Sequence, residues 1–285
     1  MILLINVLTI RNEKDHSLKS RLLSLLRPYR IETQVKSIDD ICIFDITYTR
    51  RRSKGSVRYD RIYRLCAGKS KVMLCSRDTE PVSTPLRRFE SLSLQRCLMT
   101  NYICDILSKS GISPAGLHIS YYDPRGEYPG IAEKLLKYCS ALTIVTDMPR
   151  FYENEAERIS AGSDTDIIVS NEPDDIYPCD MIVAPEVIKR PISAALSTLV
   201  FTVGQPASTV TGNVIYKYNA RLPERYKALM PEGIDEIYFM SGLYELGRQI
   251  KLAEIIPSGC GNRDQEFDNE MIIRQLKAGC GFDKV

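Results

Sequence analysis

The sequence predicts an α/β protein of two domains with largely parallel sheets, followed by short helices at the carboxyl end. Three observations carry that expectation. Short apolar runs suited to strands covered on both faces alternate with stretches whose apolar residues recur at helical spacing. The chain has 285 residues, a length that suits two modest α/β domains better than one. Ser113, Pro114 and Gly116, following Gly111, punctuate the chain between two such alternating stretches. The expected limits are therefore residues 1–112 and 113–222 for the domains, with a helical segment at 223–285 packing on one of them.

In the first domain, residues 2–9 form an apolar run and residues 15–26 carry Leu18, Leu22, Leu25 and Leu26 at helical spacing until Pro28. Residues 33–38 alternate weakly, and 41–48 (ICIFDITY) read as a better strand. Val57, Ile62 and Leu65 mark a helix over 57–66, KVMLC at 71–75 is a short buried strand, and a longer helix spans 89–110 until Gly111. The opening MILLINVLTI reads as the first strand and not as an export signal, since no basic residue precedes it and Arg11, Glu13, Lys14 and Asp15 follow.

In the second domain, strands are expected at 117–122, 141–146, 166–170, 181–184 and 199–203, with a sixth at 213–218. Pro129 is placed to start a helix that buries Ile131, Leu135, Leu136 and Cys139, and FYENEAERI at 151–159 is helical. Beyond Arg221 the chain changes to short amphipathic helices at 223–229, 235–246, 250–256 and 269–277, with Asp235 placed to cap the second.

Composition excludes several classes. Hydrophobic content of 44% and charged content of 26% belong to a folded globular chain, not to a disordered or fibrous one. No apolar stretch approaches the length a membrane span needs. The 9 cysteines are an odd number without a C-x-x-C pair, which with the missing export signal sets the expected location as cytoplasmic and the thiols as reduced. With only His16 and His118 present, histidine-rich metal centres are excluded, and no metal is expected. His118, within a strand, reads as a buried, hydrogen-bonded residue. The Gly-Cys-Gly repeats around Cys260 and Cys280 read as turn glycines beside ordinary thiols. Walker A, G-x-S-x-G and H-E-x-x-H patterns are absent.

Charge is unevenly distributed. Residues 1–116 hold 21 Lys and Arg against 11 Asp and Glu, and residues 117–285 hold 17 against 25. The basic excess concentrates at Arg50, Arg51, Arg52 and Lys54, then Arg58, Arg61 and Arg64, with Tyr48, Tyr59 and Tyr63 interleaved. Arginine among aromatic side chains is suited to holding phosphates or stacking bases, so this segment is the candidate for an anion or nucleic-acid contact. No helix-turn-helix, RRM or KH pattern accompanies it, which favours a solvated helix face instead.

The stretch at 117–147, LHISYYDPRGEYPGIAEKLLKYCSALTIVTD, has the layout of strand, loop, helix and strand with an acid at its end. Gly126 lies 21 residues before Asp147, close to the interval between a phosphate-binding turn and the acid that bonds an adenosine ribose. In this respect the second domain resembles the NAD(P)-binding Rossmann family. The resemblance implies a ligand crevice at the carboxyl ends of the strands, lined by Asp123, Arg125, Gly126 and Gly130, by Asp147, by Pro185, and by Gly204, Gln205 and Thr209. The loop departs from the family where the chemistry would be: Glu127, Tyr128 and Pro129 separate its two glycines, and Tyr128 stands where backbone must approach a pyrophosphate. That argues against NAD(P) as cofactor and leaves the cofactor unassigned. In the order of its domains the chain is also similar to the shikimate dehydrogenase type of oxidoreductase, and no catalytic residue is carried across from it.

The expected function is binding of a small anionic molecule at the strand ends of the Rossmann-like domain. The alternatives are an NAD(P)-dependent oxidoreductase using Asp147 at the ribose, and an interaction or nucleic-acid-binding protein working through residues 50–64. No reaction, membrane contact or homo-oligomer is assigned from sequence.

Overall fold

The computed structural model describes residues 3–13, 28–51, 56–66, 71–79, 85–159 and 165–279. Its first elements are β1 (Leu3–Asn12), β2 (Tyr29–Ile38), β3 (Ile41–Arg50), helix α1 (Tyr59–Leu65), β4 (Val72–Cys75) and β5 (Arg87–Arg88). The long helix α2 (Ser93–Ser110) leads to β6 (His118–Tyr122), α3 (Pro129–Leu135), β7 (Ala141–Val145), α4 (Pro149–Ile159), β8 (Asp166–Ser170) and β9 (Met181–Val183). Shorter strands follow: β10 (Ile192–Ser193), β11 (Leu199–Phe201), β12 (Val210–Thr211), β13 (Asn213–Ile215) and β14 (Lys217–Asn219). The last elements are α5 (Glu224–Lys227), α6 (Glu236–Glu245), β15 (Gly259–Gly261), β16 (Glu266–Phe267) and α7 (Asn269–Gly279). The helix expected at 15–26, with His16, lies outside the described residues, as do Arg52, Lys54 and Cys280.

Contacts gather the chain into two compact units, each made of two segments: Met1–Leu94 with Arg221–Leu252, and Gln95–Ala220 with Ala253–Val285. The division falls within the first turn of α2 rather than at 112/113, and the carboxyl-terminal segment is shared. Helices α5 and α6 belong to the first unit, and β15, β16 and α7 to the second.

In the first unit a five-stranded sheet runs β2-β3-β1-β4-β5. Strands β3, β1, β4 and β5 are parallel, and β2 turns back antiparallel on β3 as a hairpin. Alternation sorts the side chains: Leu8, Ile46, Tyr48, Met73 and Cys75 cluster with Ile62 of α1 on one face. Helix α6 packs on Leu74 so closely that a Cβ at Gly242 would lie 2.7 Å from its side chain. Asp235 caps that helix as its position predicts, accepting from the Tyr238 N–H at 2.9 Å. Tyr238 donates to the Phe89 carbonyl at 2.9 Å and carries the Arg88 guanidinium 4.4 Å above its ring.

The second unit holds a six-stranded sheet, β13-β11-β9-β6-β7-β8, parallel at every pairing. One register row contains Val169, Ile144, Tyr121, Val183, Phe201 and Ile215. Aromatic side chains of the helices pack on this face: Tyr152 of α4 stands edge-on to Tyr121, and Tyr102 of α2 lies 6.3 Å from Phe201. The opposite face, with Ile182 and Val200, is covered by Ile176, Ile188, Ile192, Ala194 and Val210 from connecting segments. Where a doubly wound sheet carries helices between its later strands, this chain has extended pieces, β10 paired in parallel with β12.

A third sheet in this unit, β14-β15-β16, corrects the expectation for Cys260. Gly259, Cys260 and Gly261 form a buried strand rather than a turn, because the antiparallel neighbours approach too closely for side chains. A Cβ at Gly261 would lie 2.6 Å from the Gln265 carbonyl oxygen. Gly261→Ala is therefore expected to cost about 1–3 kcal/mol, the range for overpacking, read as a lower urea midpoint. His118 is likewise not buried; it lies exposed at the start of β6, its backbone N–H donating to Asp180 at 2.9 Å. The 8 described cysteines are free thiols, and no described helix is long and apolar enough to cross a membrane.

Candidate functional site

Numbered in chain order from β6, the strands of the six-stranded sheet stand as 3-2-1-4-5-6. The direction of winding reverses between β6 and β9, which leaves the loops after these two strands diverging at their carboxyl ends. The second unit is a Rossmann-like domain. Its first turn, between β6 and α3, and the segment after β9 define the crevice in which such domains hold ligands.

The Rossmann turn here is built around Asp123. Its side chain is fully buried, and Oδ2 accepts from the Tyr128 N–H at 2.8 Å and from the Tyr152 hydroxyl at 2.7 Å. Burial, then the bond to Asp123, pushes the Tyr152 hydroxyl pKa well above its ordinary value, so it stays a donor. The Asp123 carbonyl accepts from the Gly126 N–H at 3.2 Å, closing a turn that puts Gly126 at φ +67°. A Cβ at Gly126 would meet the Phe151 ring at 3.1 Å and Met148 at 3.4 Å, so the open side of this glycine is already occupied by the chain.

These contacts decide how many N–H groups face outward. A pyrophosphate is held in this fold by free N–H donors at the start of the first helix. The Tyr128 N–H is engaged by Asp123, Pro129 has none, and the Ile131 N–H bonds the Tyr128 carbonyl at 3.0 Å. Gly130 is exposed, with open space where its Cβ would be. Tyr128 is held from both sides: its carbonyl accepts from the Tyr121 hydroxyl at 2.8 Å, and the Arg96 guanidinium lies 3.9 Å above its ring.

Two arginine–carboxylate pairs join the loops around the crevice. Arg125, after β6, donates through Nε to Glu186, after β9, at 2.9 Å, and a second bond from its terminal nitrogen makes the pair bidentate. Asp147, after β7, takes both terminal nitrogens of Arg190, at 3.2 and 3.0 Å. Arg96 also spans to this edge, donating to the carbonyl of the buried Pro185 at 2.8 Å. The segment carrying Arg190 is anchored to the loop after β11: the Ala207 N–H bonds the Ile188 carbonyl at 2.9 Å, and the Ile192 N–H bonds Thr209 at 3.3 Å. Gly204, at φ +72°, turns the chain into that loop, where Gln205 and Thr209 are exposed.

The fold thus brings Asp123, Arg125, Gly126, Asp147 and Pro185 to one edge and connects Gly204, Gln205 and Thr209 to it through the Arg190 segment. Sequence reading missed Arg96, Glu186 and Arg190. None lies in a motif, and their partners stand 89, 61 and 43 residues away in the chain. The basic segment lies in the first unit, where Arg51 pairs with Glu13 at 2.9 Å, Arg58 pairs with Asp60 at 3.0 Å, and Arg61 is exposed.

No family model matches the chain, and no curated protein matches it in sequence. Among solved structures it is similar to quinate dehydrogenase from Corynebacterium glutamicum in complex with NAD, at 10% identity and a TM-score of 0.33, over 97% of this chain and 99% of that one. Δ1-pyrroline-2-carboxylate reductase from Thermococcus litoralis, in complex with NADH and L-proline, matches at 12% identity and a TM-score of 0.32, over 99% and 98%. 5-Ketofructose reductase of Gluconobacter sp. matches at 16% identity and a TM-score of 0.27, over 63% of this chain and 62% of that one. The chain spans between 49% and 63% of the length of the ornithine cyclodeaminase, lysine cyclodeaminase and 5-ketofructose reductase structures it matches. The Rossmann assignment rests on the strand order of the sheet.

Proposed function

We propose that the second unit binds a small anionic molecule at the carboxyl ends of its strands, anchored by Arg125 and Arg190. The observation that carries this reading is that both arginines already hold carboxylates of the chain itself, in the two-bond geometry an external carboxylate or phosphate would use. Glu186 and Asp147 stand in for the anion. The Arg190–Asp147 pair, with side chains 51% and 50% exposed, exchanges at low cost, since exposed ion pairs contribute about 0–1 kcal/mol, whereas Arg125, 61% exposed, faces a Glu186 that is only 18% exposed. Gln205 and Thr209 flank the Arg190 segment and supply further polar contacts, while Asp123, Gly126, Gly130, Pro185 and Gly204 shape the backbone around it.

A second reading, an NAD(P)-dependent oxidoreductase, is favoured by the strand order and by Asp147, half exposed at the end of the second strand, where the fold presents an acid to a ribose. The donors withheld at Tyr128 and Pro129 and the occupied side of Gly126 weigh against it.

Thermal shift on the whole chain with citrate, inorganic phosphate, NAD and NADP separates the two. A ligand at 100 times its Kd adds about 2.7 kcal/mol, so a rise of several degrees is expected with citrate or phosphate, and its disappearance in Arg125→Gln/Arg190→Gln. Arg190→Gln should leave the ligand-free stability within about 1 kcal/mol of the parent, as exposed pairs do, while Arg125→Gln should cost more because it leaves the largely buried Glu186 without its partner. Stabilisation by NAD or NADP that vanishes in Asp147→Ala would replace the first reading with the second, and no shift with any of the four would remove both.

A further inference from the structure

Arg50 is the last residue of β3 and lies at the carboxyl edge of the parallel strands of the first unit, opposite Asn12 at the end of β1. The structure separates it from the rest of the basic segment. Arg51 is neutralised by Glu13 at 2.9 Å, and Arg58 by Asp60 at 3.0 and 3.2 Å. The Arg50 side chain is half-buried, and its Nε is sealed from solvent without a hydrogen-bond partner among the described residues.

Among the described residues no acceptor meets that Nε. Tyr29 is the direct cross-strand neighbour of Arg50 on β2, and Tyr48, two residues earlier on β3, shares its face of the sheet. Those two rings stack 5.2 Å apart, 16° from parallel. Burial raises the Tyr48 and Tyr59 hydroxyl pKa values, and the charge of Arg50 acts against that rise at both. Tyr29 and Tyr48 thus lie on the Arg50 face of the sheet, and the nearby Glu13 carboxylate is held by Arg51.

A charged donor withdrawn from water with no acceptor is destabilising, and native folds resolve such groups with a partner, a water or an ion. In open α/β sheets ligands bind outside the carboxyl ends of the strands, where Arg50 stands. The guanidinium fork matches the oxygens of a phosphate, and the tyrosines on its face of the sheet suit a monoester better than a hydrated metal complex. We propose that Arg50 anchors a second anion site, in the first unit, for a phosphate or phosphomonoester group.

The test uses the full chain carrying Arg125→Gln and Arg190→Gln, so that the site in the second unit does not contribute. Binding of inorganic phosphate, phenyl phosphate and a single-stranded oligonucleotide is measured by calorimetry, with Arg50→Gln, Arg51→Gln and Arg58→Gln each added in turn. Saturable binding of either small phosphate, weakened about tenfold or more by Arg50→Gln and little by Arg58→Gln, is the expected result. Binding of phenyl phosphate alone identifies the ester as the source, and equal binding of both small probes identifies the free anion. Arg50→Met should raise the phosphate-free melting temperature, since it removes a buried N–H donor that has no acceptor among the described residues. A phosphate effect that survives Arg50→Gln, or silence with all three probes, overturns the proposal. So does a fall in phosphate-free stability on Arg50→Met, or oligonucleotide binding that Arg50, Arg51 and Arg58 support equally.

Discussion

Asp123→Ala is expected to destabilise the second unit by about 3 kcal/mol, from one buried and one part-buried donor each left without its acceptor, at roughly 1–3 kcal/mol for a buried one. The donors are the Tyr128 N–H and the Tyr152 hydroxyl, which reach the same carboxylate oxygen from the Rossmann turn and from α4. The substitution therefore removes the atom that ties the turn to the helix behind it. Asp123→Asn keeps an acceptor in place and should cost about 1 kcal/mol, and Tyr152→Phe, which removes one donor with its bond, about the same. Urea denaturation of the three variants reads the order directly. If Asp123→Ala unfolds at the parent midpoint, the carboxylate is not the tie described. Losing the tie also frees the Tyr128 N–H, so Asp123→Ala is the variant in which any affinity for a phosphate at this turn should increase.

Phe201→Ala is expected to cost about 3–5 kcal/mol, the range for emptying a buried aromatic position. Phe201 is completely buried in β11, in one register row with Val183 and Ile215 and within ring contact of Tyr102. The next residue, Thr202, points to the other face and donates its hydroxyl to the Glu186 carbonyl at 2.7 Å. Phe201→Leu fills most of the volume and should cost about 1.5 kcal/mol or less. Guanidinium unfolding followed by far-UV circular dichroism gives both values, and a loss under about 1 kcal/mol for Phe201→Ala would mean that the site collapses around the missing ring.

What the residues determine on their own is local. The apolar runs and helical spacings specify β6, α3, β7, α4 and β8 in that order, because each rests on a periodicity contained within a few residues. Asp235 caps α6 for the same reason: the side chain and the N–H it accepts from are three residues apart. Position alone also puts Asp147 just after a strand and Gly126 in a turn, which the structure closes at positive φ. Other expectations failed because the deciding neighbour is distant. Gly259 and Gly261 read as turn residues until β14 and β16 lie against them, and His118 read as buried until its place at the exposed start of β6 was known.

The tertiary structure decides what the site is made of. The order 3-2-1-4-5-6 arises from which strand lies beside β6, and only that adjacency brings the segment carrying Glu186 and Arg190 to the turn carrying Arg125 and to Asp147. Those pairs close over 61 and 43 residues, beyond the reach of any spacing rule. The glycine that resembles a pyrophosphate contact is filled by Phe151, which is a fact about the packing of α4 and not about the motif. Likewise the basic run at 50–64 reads as uniform charge until folding gives Arg51 and Arg58 their carboxylates and leaves the Arg50 Nε without an acceptor among the described residues. Sequence carries the elements because helix and strand are short-range structures. The distribution of charge partners is a long-range property, settled only when the sheets assemble.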